Sequence, residues 1–388
     1  MIIAAVKEQT PECRVAMVPS LSAALIKAGH QVIIESCAGV AAGYPDDEYV
    51  RAGVRIEPDR GRLFEQSEVL LMVRGPGINP PMGAQDLTRL RSDHIIIAFF
   101  DPLIYPQTIQ ELAETGVTAF SLELIPRISR AQSMDALSSM ATLAGYKGVL
   151  IAANTLSKIF PLMMTAAGSL MPARVFVIGA GVTGLQACAT AKRMGAIVSA
   201  YDIRPGVKDE VKSVGAEFVE FDLLIDDAED SRGYAKSQSD EFYRRQQEAM
   251  TKVMAENDVV IATAGVPGKK APVLITENMV GHMAPGSVIV DLVAELGGNC
   301  ALTRPGQTVY HEGVTIIGPV NLASSVAYHA SQMLAKNVTA FLDHLIDLDG
   351  HLVINMKEVI TLNTLLCKDR RIANQRVLEA LGERPISP

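Results

Sequence analysis

Residues 174–185 read Arg174-Val175-Phe176-Val177-Ile178-Gly179-Ala180-Gly181-Val182-Thr183-Gly184-Leu185, and the fold can be read outward from them. Residues 175–178 form a short unbroken apolar run of strand composition, and a helix-forming segment follows at 185–193. Between them stands G-x-G-x-x-G. Gly179 permits the tight turn, Gly181 lets a pyrophosphate approach the backbone, and Gly184 allows close helix–strand packing. The helix N-terminus then faces the phosphates, with Ala180 and Val182 beside them. Structural glycine turns share these letters, so the context matters. The next strand candidate, 197–201, ends at Asp202, about 20 residues on, where an acid accepts the adenine ribose hydroxyls. Asp202, with Ile203 and Arg204 next to it, marks the adenosine end. A carboxylate there disfavours a 2′-phosphate, so the cofactor expected is NAD(H) rather than NADP(H). Arg204 reads most simply as a surface charge near the adenine.

The rest of the chain repeats the alternation of short apolar runs and helical patterns, the sequence form of a parallel α/β fold. Strand candidates lie at 2–6, 31–35, 69–73, 95–99 and 117–120, then at 174–178, 197–201, 259–263, 288–291 and 315–317. Helical patterns separate them, such as 19–28, closed by Gly29, and 105–114, followed by Gly116. Two longer helical segments, about 131–158 and 324–348, suit a hinge. We therefore expect two doubly wound Rossmann-like domains joined by long helices, with a ligand cleft between them. The first domain is discontinuous, 1–130 plus 328–388. The second, 131–327, is the dinucleotide-binding one.

The formal charge of −8 argues against a nucleic-acid partner, which needs a basic face, and does not suggest direct binding to anionic lipid. The five cysteines are odd in number and widely spaced, so no disulfide framework or metal-ligand spacing emerges. They read as reduced thiols in a cytosolic-type compartment. Met1 runs straight into a strand pattern without a basic leader, and no stretch has about 18 unbroken apolar residues. No metal and no direct membrane insertion are expected.

A second segment carries more specific information: Pro126-Arg127-Ile128-Ser129-Arg130-Ala131-Gln132-Ser133-Met134-Asp135-Ala136-Leu137-Ser138-Ser139. It is a polar loop entering a long helix. Arg127, Gln132, Asp135 and Ser138 offer donors and acceptors suited to a carboxamide and a ribose. Composition alone favours a charged helix start with Asp135 as a first-turn acid. This segment resembles the signature loop of the NAD(H)-binding component of proton-translocating nicotinamide nucleotide transhydrogenases. So do Arg14-Val15-Ala16, Met164-Thr165-Ala166-Ala167-Gly168, Gly233-Tyr234-Ala235-Lys236, Pro267-Gly268-Lys269 with Ala271-Pro272, and Asp291 through Gly297-Gly298-Asn299-Cys300. The resemblance covers almost the whole chain.

The resemblance implies that NADH held here passes hydride directly to NADP(H) on a partner component, coupled to proton translocation by a transmembrane partner. Arg127, Ile128, Ser129, Ser133, Met134, Asp135 and Ser138 would then hold the nicotinamide end, and Gln132 would orient the reacting face. Gln132, Arg127 and Asp135 are the residues closest to the chemistry in this reading. Val182, Asp202, Gly233, Tyr234, Gln246, Ala264 and Gly265 would line the remainder, with 233–236 in a loop that closes over the nucleotide. The polar stretch 226–239 lacks apolar periodicity and suits such a loop, or an idle surface one. Gly265 stands where the family commonly carries Leu, so a contact there would be backbone only. A homodimer, and a cytoplasmic position at the inner membrane held through partner subunits, are likewise implied by the resemblance alone.

Alanine dehydrogenase shares the fold and several motifs and is the strongest competing reading. Reducing an imino or keto acid needs a cation for the carboxylate and a proton donor at the carbonyl. Those enzymes place Lys and His after two strands of the first domain. Here the matching places read Met72-Val73-Arg74-Gly75 and Phe99-Phe100-Asp101-Pro102. Arg74 can hold a carboxylate, but no His follows the second strand. His94, before it, is expected to face solvent. Arg14, which resembles a substrate contact of the dehydrogenases, reads as inherited structure. A redox-sensing NAD(H)-binding module would use the same residues and differ only in lacking a hydride-accepting partner.

Overall fold

The computed structural model describes residues 1–78, 82–221, 240–266, 268–347 and 349–382. They form two compact units, Met1–Met140 with Ala323–Pro388, and Ala141–Leu322. Each is a doubly wound α/β unit, as the alternation of runs predicts.

The first unit is built on an eight-stranded sheet. Six strands are parallel in the order Arg55–Glu57, Gln31–Glu35, Ile2–Ala5, Val69–Arg74, Ile95–Phe99 and Thr118–Ser121. Helices on both faces require such strands to be apolar throughout, and Val69 through Val73 are all buried. The C-terminal segment from Ala323 returns to this unit. Leu365–Lys368 adds antiparallel to Thr118–Ser121, with Leu365 opposite Phe120, and Arg371–Ile372 extends the edge. Helix Ala327–Leu345 buries Leu334, Val338, Phe341 and Leu342, and Phe341 meets Phe120 edge-on at 5.5 Å.

The second unit carries a seven-stranded sheet. Glu217–Phe218, Ile197–Tyr201, Arg174–Ile178, Val259–Ala262, Val288–Asp291 and Val314–Ile317 run parallel, and Thr308–His311 closes the edge antiparallel. The strand order reverses between Arg174–Ile178 and Val259–Ala262. A crevice at the carboxyl ends of these two strands is the place where such sheets bind ligands.

The long helices differ from their sequence outline. Residues 129–134 form a 3-10 turn, and the α-helix runs from Ala136 to Thr155. Asp135 is the reason: its Oδ1 accepts the Ser138 N–H at 2.8 Å, making it the cap from which the helix starts. The second long segment is a 3-10 turn at Leu322–Val326 followed by helix Ala327–Leu345. The sequence placed the crossings between domains at 130/131 and 327/328, whereas the compact units change over at Met140/Ala141 and Leu322/Ala323. The turn at 129–134 stays with the first unit because it packs on helix Ala327–Leu345, where Asn337 Nδ2 donates to the Ser133 carbonyl at 2.8 Å.

By length and composition alone, Ala136–Thr155 is apolar enough to cross a membrane. Its Val149 and Ala152 are wholly buried in the core of the second unit, together with Val175 and Val177. Two short antiparallel strands, Met163–Thr165 and Gly168–Leu170, form a hairpin whose residues are all exposed.

Candidate functional site

The fingerprint turn has the geometry its glycines demand. Gly179 has φ +93°, and its N–H donates to the Tyr201 carbonyl at 2.8 Å, tying the turn to the neighbouring strand. A Cβ on Gly184 would lie 1.8 Å from the Gly179 carbonyl oxygen, so helix Val182–Arg193 reaches the turn only because residue 184 has no side chain. Gly181 is the opposite case. It precedes the helix without any side-chain cap, and a Cβ there would meet nothing within 4 Å. An uncapped helix N-terminus facing open space, with Val182 exposed beside it, leaves backbone N–H groups available to an anion. Lys192 and Arg193 in the last turn complement the other end of the dipole.

The strand Ile197–Tyr201 delivers Asp202 to this turn. Asp202 Oδ2 accepts the Ala180 N–H at 2.7 Å, so the fingerprint and the acid are locked together. Arg204, which the sequence suggested to be a plain surface charge, instead folds back on Asp202 with Nε and Nη2 each at 2.9 Å. Only one residue separates them, and Arg204 directly precedes the 3-10 turn Pro205–Val207. Ile203 is half-buried between them. Gln246 is buried on helix Asp240–Ala255, and its Nε2 donates to the Tyr201 hydroxyl at 2.8 Å. Its Oε1 has no hydrogen-bond partner among the described residues, a buried acceptor suited to a ligand donor. The Ala264 backbone is clamped by Asn299, which accepts its N–H and donates to its carbonyl. At Gly265 a Cβ would lie 3.1 Å from Val293 Cγ1, so a side chain there would need Val293 to shift slightly. The residues present therefore fit a dinucleotide at an acid-tipped fingerprint. Gly233, Tyr234, the stretch 226–239 and Pro267 lie outside the described residues.

The 127–138 segment belongs to the first unit. Ala131 and Met134 are buried and fix the 3-10 turn, while Arg127, Ser129, Gln132 and Ser133 are exposed and Ile128 is half-buried. Asp135 and Ser138 are engaged with each other, since Ser138 Oγ donates to Asp135 Oδ2 at 2.6 Å in addition to the backbone cap. Asp135 is thus first a helix-starting residue that orients the polar turn. Gln132 is the long uncharged side chain that the turn holds out.

In the same unit the first strands end in a network of charges. Arg14 is buried and bidentate on Glu12, with Nε to Oε1 at 2.8 Å and Nη2 to Oε2 at 2.7 Å. Arg74 lies 3.8 Å from Glu12 and 3.6 Å from Asp101. The cation that could hold a substrate carboxylate therefore already faces two protein carboxylates. Glu123, which sequence reasoning missed, is half-buried and accepts the N–H groups of Phe100 and Asp101, both at 2.7 Å. Burial and the neighbouring Asp101 push its carboxyl up to about 7. Glu8 was missed too. It accepts the Val73 N–H at 2.6 Å, and burial raises its carboxyl to about 8. Neither has a sequence signal, because each is a single acid that accepts backbone N–H groups of other elements, although Glu123 also accepts the nearby Ser121 hydroxyl at 2.5 Å.

His94 corrects an expectation. It is fully buried, with Nδ1 accepting the Arg91 N–H at 3.1 Å and Nε2 bonded to the Phe64 carbonyl at 2.9 Å. Both ring nitrogens are used, and burial lowers its pKa, so it is a neutral core residue rather than a solvent-facing one. Among the described residues no group of three His, Cys, Asp or Glu side chains could hold a metal ion.

Comparison with known proteins bears on both units. The family model described as alanine dehydrogenase/PNT, N-terminal domain, matches residues 4–144, and that for the C-terminal domain matches 148–375. The chain is 42% identical over 377 residues to an NAD(P) transhydrogenase alpha-subunit chain of Rhodospirillum rubrum, covering 96% of this chain and 98% of that one. It is similar to the solved transhydrogenase structure from Sinorhizobium meliloti with a TM-score of 0.82 and 37% identity, covering 96% and 99%. An alanine dehydrogenase of Halomonas elongata is more distant, 29% identical over 355 residues, or 89% of this chain and 88% of that one.

Proposed function

This chain belongs to the alanine dehydrogenase/PNT family, and we propose that within it the chain is the NAD(H)-binding component of an NAD(P) transhydrogenase. The carrying observation is the acid-tipped fingerprint, in which Asp202 is bonded to the turn that would face the pyrophosphate. The similarity to transhydrogenase alpha subunits over nearly the full chain supports this reading above the dehydrogenase one. NADH, when bound, supplies a hydride that is accepted by NADP+ on a separate component.

Such a transfer asks the protein for contact, orientation and exclusion of water rather than for a titrating group. Gly179, Gly181 and Gly184 bring backbone to the phosphates, and Asp202 takes the ribose. The polar side chains of 127–138 serve the nicotinamide end, with Arg127 a charged donor, Gln132 the orienting amide and Asp135–Ser138 the pair that fixes the turn. A keto-acid reductase would need Arg74 open to a substrate carboxylate and a proton donor where Asp101 stands. Asp101 instead faces Arg74, which opposes that chemistry.

The test is hydride transfer from NADH to an NADP+ analogue with and without the NADP(H)-binding component, beside an arm with pyruvate and ammonium. Transfer should depend on both components, and the pyruvate arm should stay at background. Robust alanine formation without nucleotide-to-nucleotide transfer would sink the proposal.

The partners are then the NADP(H)-binding and membrane components, which hold the chain at the cytoplasmic face. We infer a homodimer as well. The hairpin at 163–170 presents Met164, 79% exposed, with Leu162, Met163, Leu170 and Met171, 74% exposed, around it. A lone two-stranded hairpin with that apolar load is unfavourable in water unless another surface covers it. Sedimentation of the wild type should give a dimer, and Met164→Asp with Met171→Asp should give a folded monomer. A monomeric wild type would refute the inference.

A further inference from the structure

Asp202 has both carboxylate oxygens fully used. Oδ2 accepts Ala180 N–H at 2.7 Å and Arg204 Nη2 at 2.9 Å, while Oδ1 accepts Arg204 N–H and Nε, both at 2.9 Å. Two of these four donors are backbone groups, fixed by the fingerprint and by the turn after residue 204. The other two belong to the guanidinium, and only they can be exchanged without moving the chain. A ribose diol bonds to the same carboxylate, so it must displace them. The guanidinium fork fits a phosphate as well as it fits a carboxylate. Both side chains are largely withdrawn from water, Arg204 15% and Asp202 7% exposed, so each feels the other strongly.

We propose that Arg204 is a specificity-determining residue whose guanidinium constitutes a latent site for an adenosine 2′-phosphate, masked by Asp202. The inference rests on the NAD(H) reading of the fingerprint and deepens it. The pair carries no net charge, so Asp202 rejects a 2′-phosphate by occupying the group that would bind it, in addition to repelling it. Removing the carboxylate releases the Nε and Nη2 donors that it holds. Removing the cation alone leaves a bare carboxylate.

The experiment measures binding of adenosine 2′,5′-bisphosphate and of 5′-AMP by calorimetry at low salt. Relative to wild type, Asp202→Ser should shift the ratio toward the bisphosphate by about tenfold or more, a charge-assisted gain that salt weakens. Asp202→Ser combined with Arg204→Leu should lose that shift. Equal ratios in the single and double variants would overturn the proposal, since relief of repulsion alone would then explain them. Arg204→Leu in the wild-type background is independent of whether Asp202→Ser folds. It should widen the preference for NADH over NADPH by roughly tenfold, because the carboxylate is no longer neutralised. An unchanged preference would also overturn the selector. Wild type that fails to bind NADH would remove the nucleotide reading itself. Wild type that binds NADH but shows no Arg204-dependent shift removes only the selector.

Discussion

Gly181→Ala and Gly184→Ala should both abolish useful NADH binding while differing sharply in the nucleotide-less protein. At Gly184 the added Cβ would stand 1.8 Å from the Gly179 carbonyl oxygen, a backbone atom that cannot rotate away. Helix Val182–Arg193 must then lift from the turn, tearing at the packing of buried Ala187, Cys188 and Ala191. Overpacking of this kind costs about 1–3 kcal/mol or more, enough to lower the melting temperature by roughly 5 °C or more in a unit this size. At Gly181 the added methyl meets no protein atom within 4 Å, and the residue's φ of −78° suits alanine. The protein without nucleotide should therefore melt within about 1 °C of wild type, as substitutions away from packed features usually do. Its NADH affinity should nonetheless fall by about a hundredfold, because the methyl takes the space that lets a pyrophosphate reach the backbone. Melting curves and NADH fluorescence titrations on the two variants separate the effects. A Gly181→Ala protein with normal NADH affinity would show that nothing approaches the turn there, and the fingerprint would be a structural glycine turn.

The same contrast explains what the sequence could and could not disclose. The fingerprint was legible because a tight turn, an open backbone and a close helix contact each require glycine, and no other residue substitutes. Asp202 was legible because it stands at the end of the next strand, and the strands of both units were legible as unbroken apolar runs such as 69–73. Contacts between short segments far apart in sequence were not legible. Strand Leu365–Lys368 pairs with Thr118–Ser121 in an arrangement that no local pattern announces. The Arg74–Asp101 contact joins the ends of neighbouring strands, and Glu8 and Glu123 each accept backbone N–H groups from distant segments. The fold-back of Arg204 onto Asp202 is local, yet sequence cannot tell a side chain turned inward from one turned to solvent. His94 went wrong for a related reason. Its burial is made possible by two backbone partners, Arg91 and Phe64, of which the second arrives from another element. The start of the long helix at Ala136, rather than near 131, turned on a single cap at Asp135.

Gln132→Asn should leave NADH binding nearly intact and reduce hydride transfer to the NADP(H)-binding component by on the order of a hundredfold, the penalty for misplacing reacting atoms by about 1 Å. Gln132 sits on a turn that is itself well fixed. Ala131 and Met134 are buried, the Ser133 carbonyl accepts from Asn337, and Asp135 caps the helix that follows. The Gln132 side chain is exposed, so shortening it by one methylene disturbs no packing and the fold should persist. Affinity for NADH is carried in this proposal by the fingerprint and Asp202, whose sequence the substitution leaves unchanged. The amide itself is retained in Asn, so any loss reports reach rather than hydrogen-bonding capacity. Single-turnover transfer rates at saturating NADH, compared with NADH titrations, separate the two quantities. Parallel losses in binding and transfer would make Gln132 an ordinary nucleotide contact. Unchanged transfer would reduce it to a polar residue at a helix start, and the orienting role would pass to Arg127, the charged donor on the same segment.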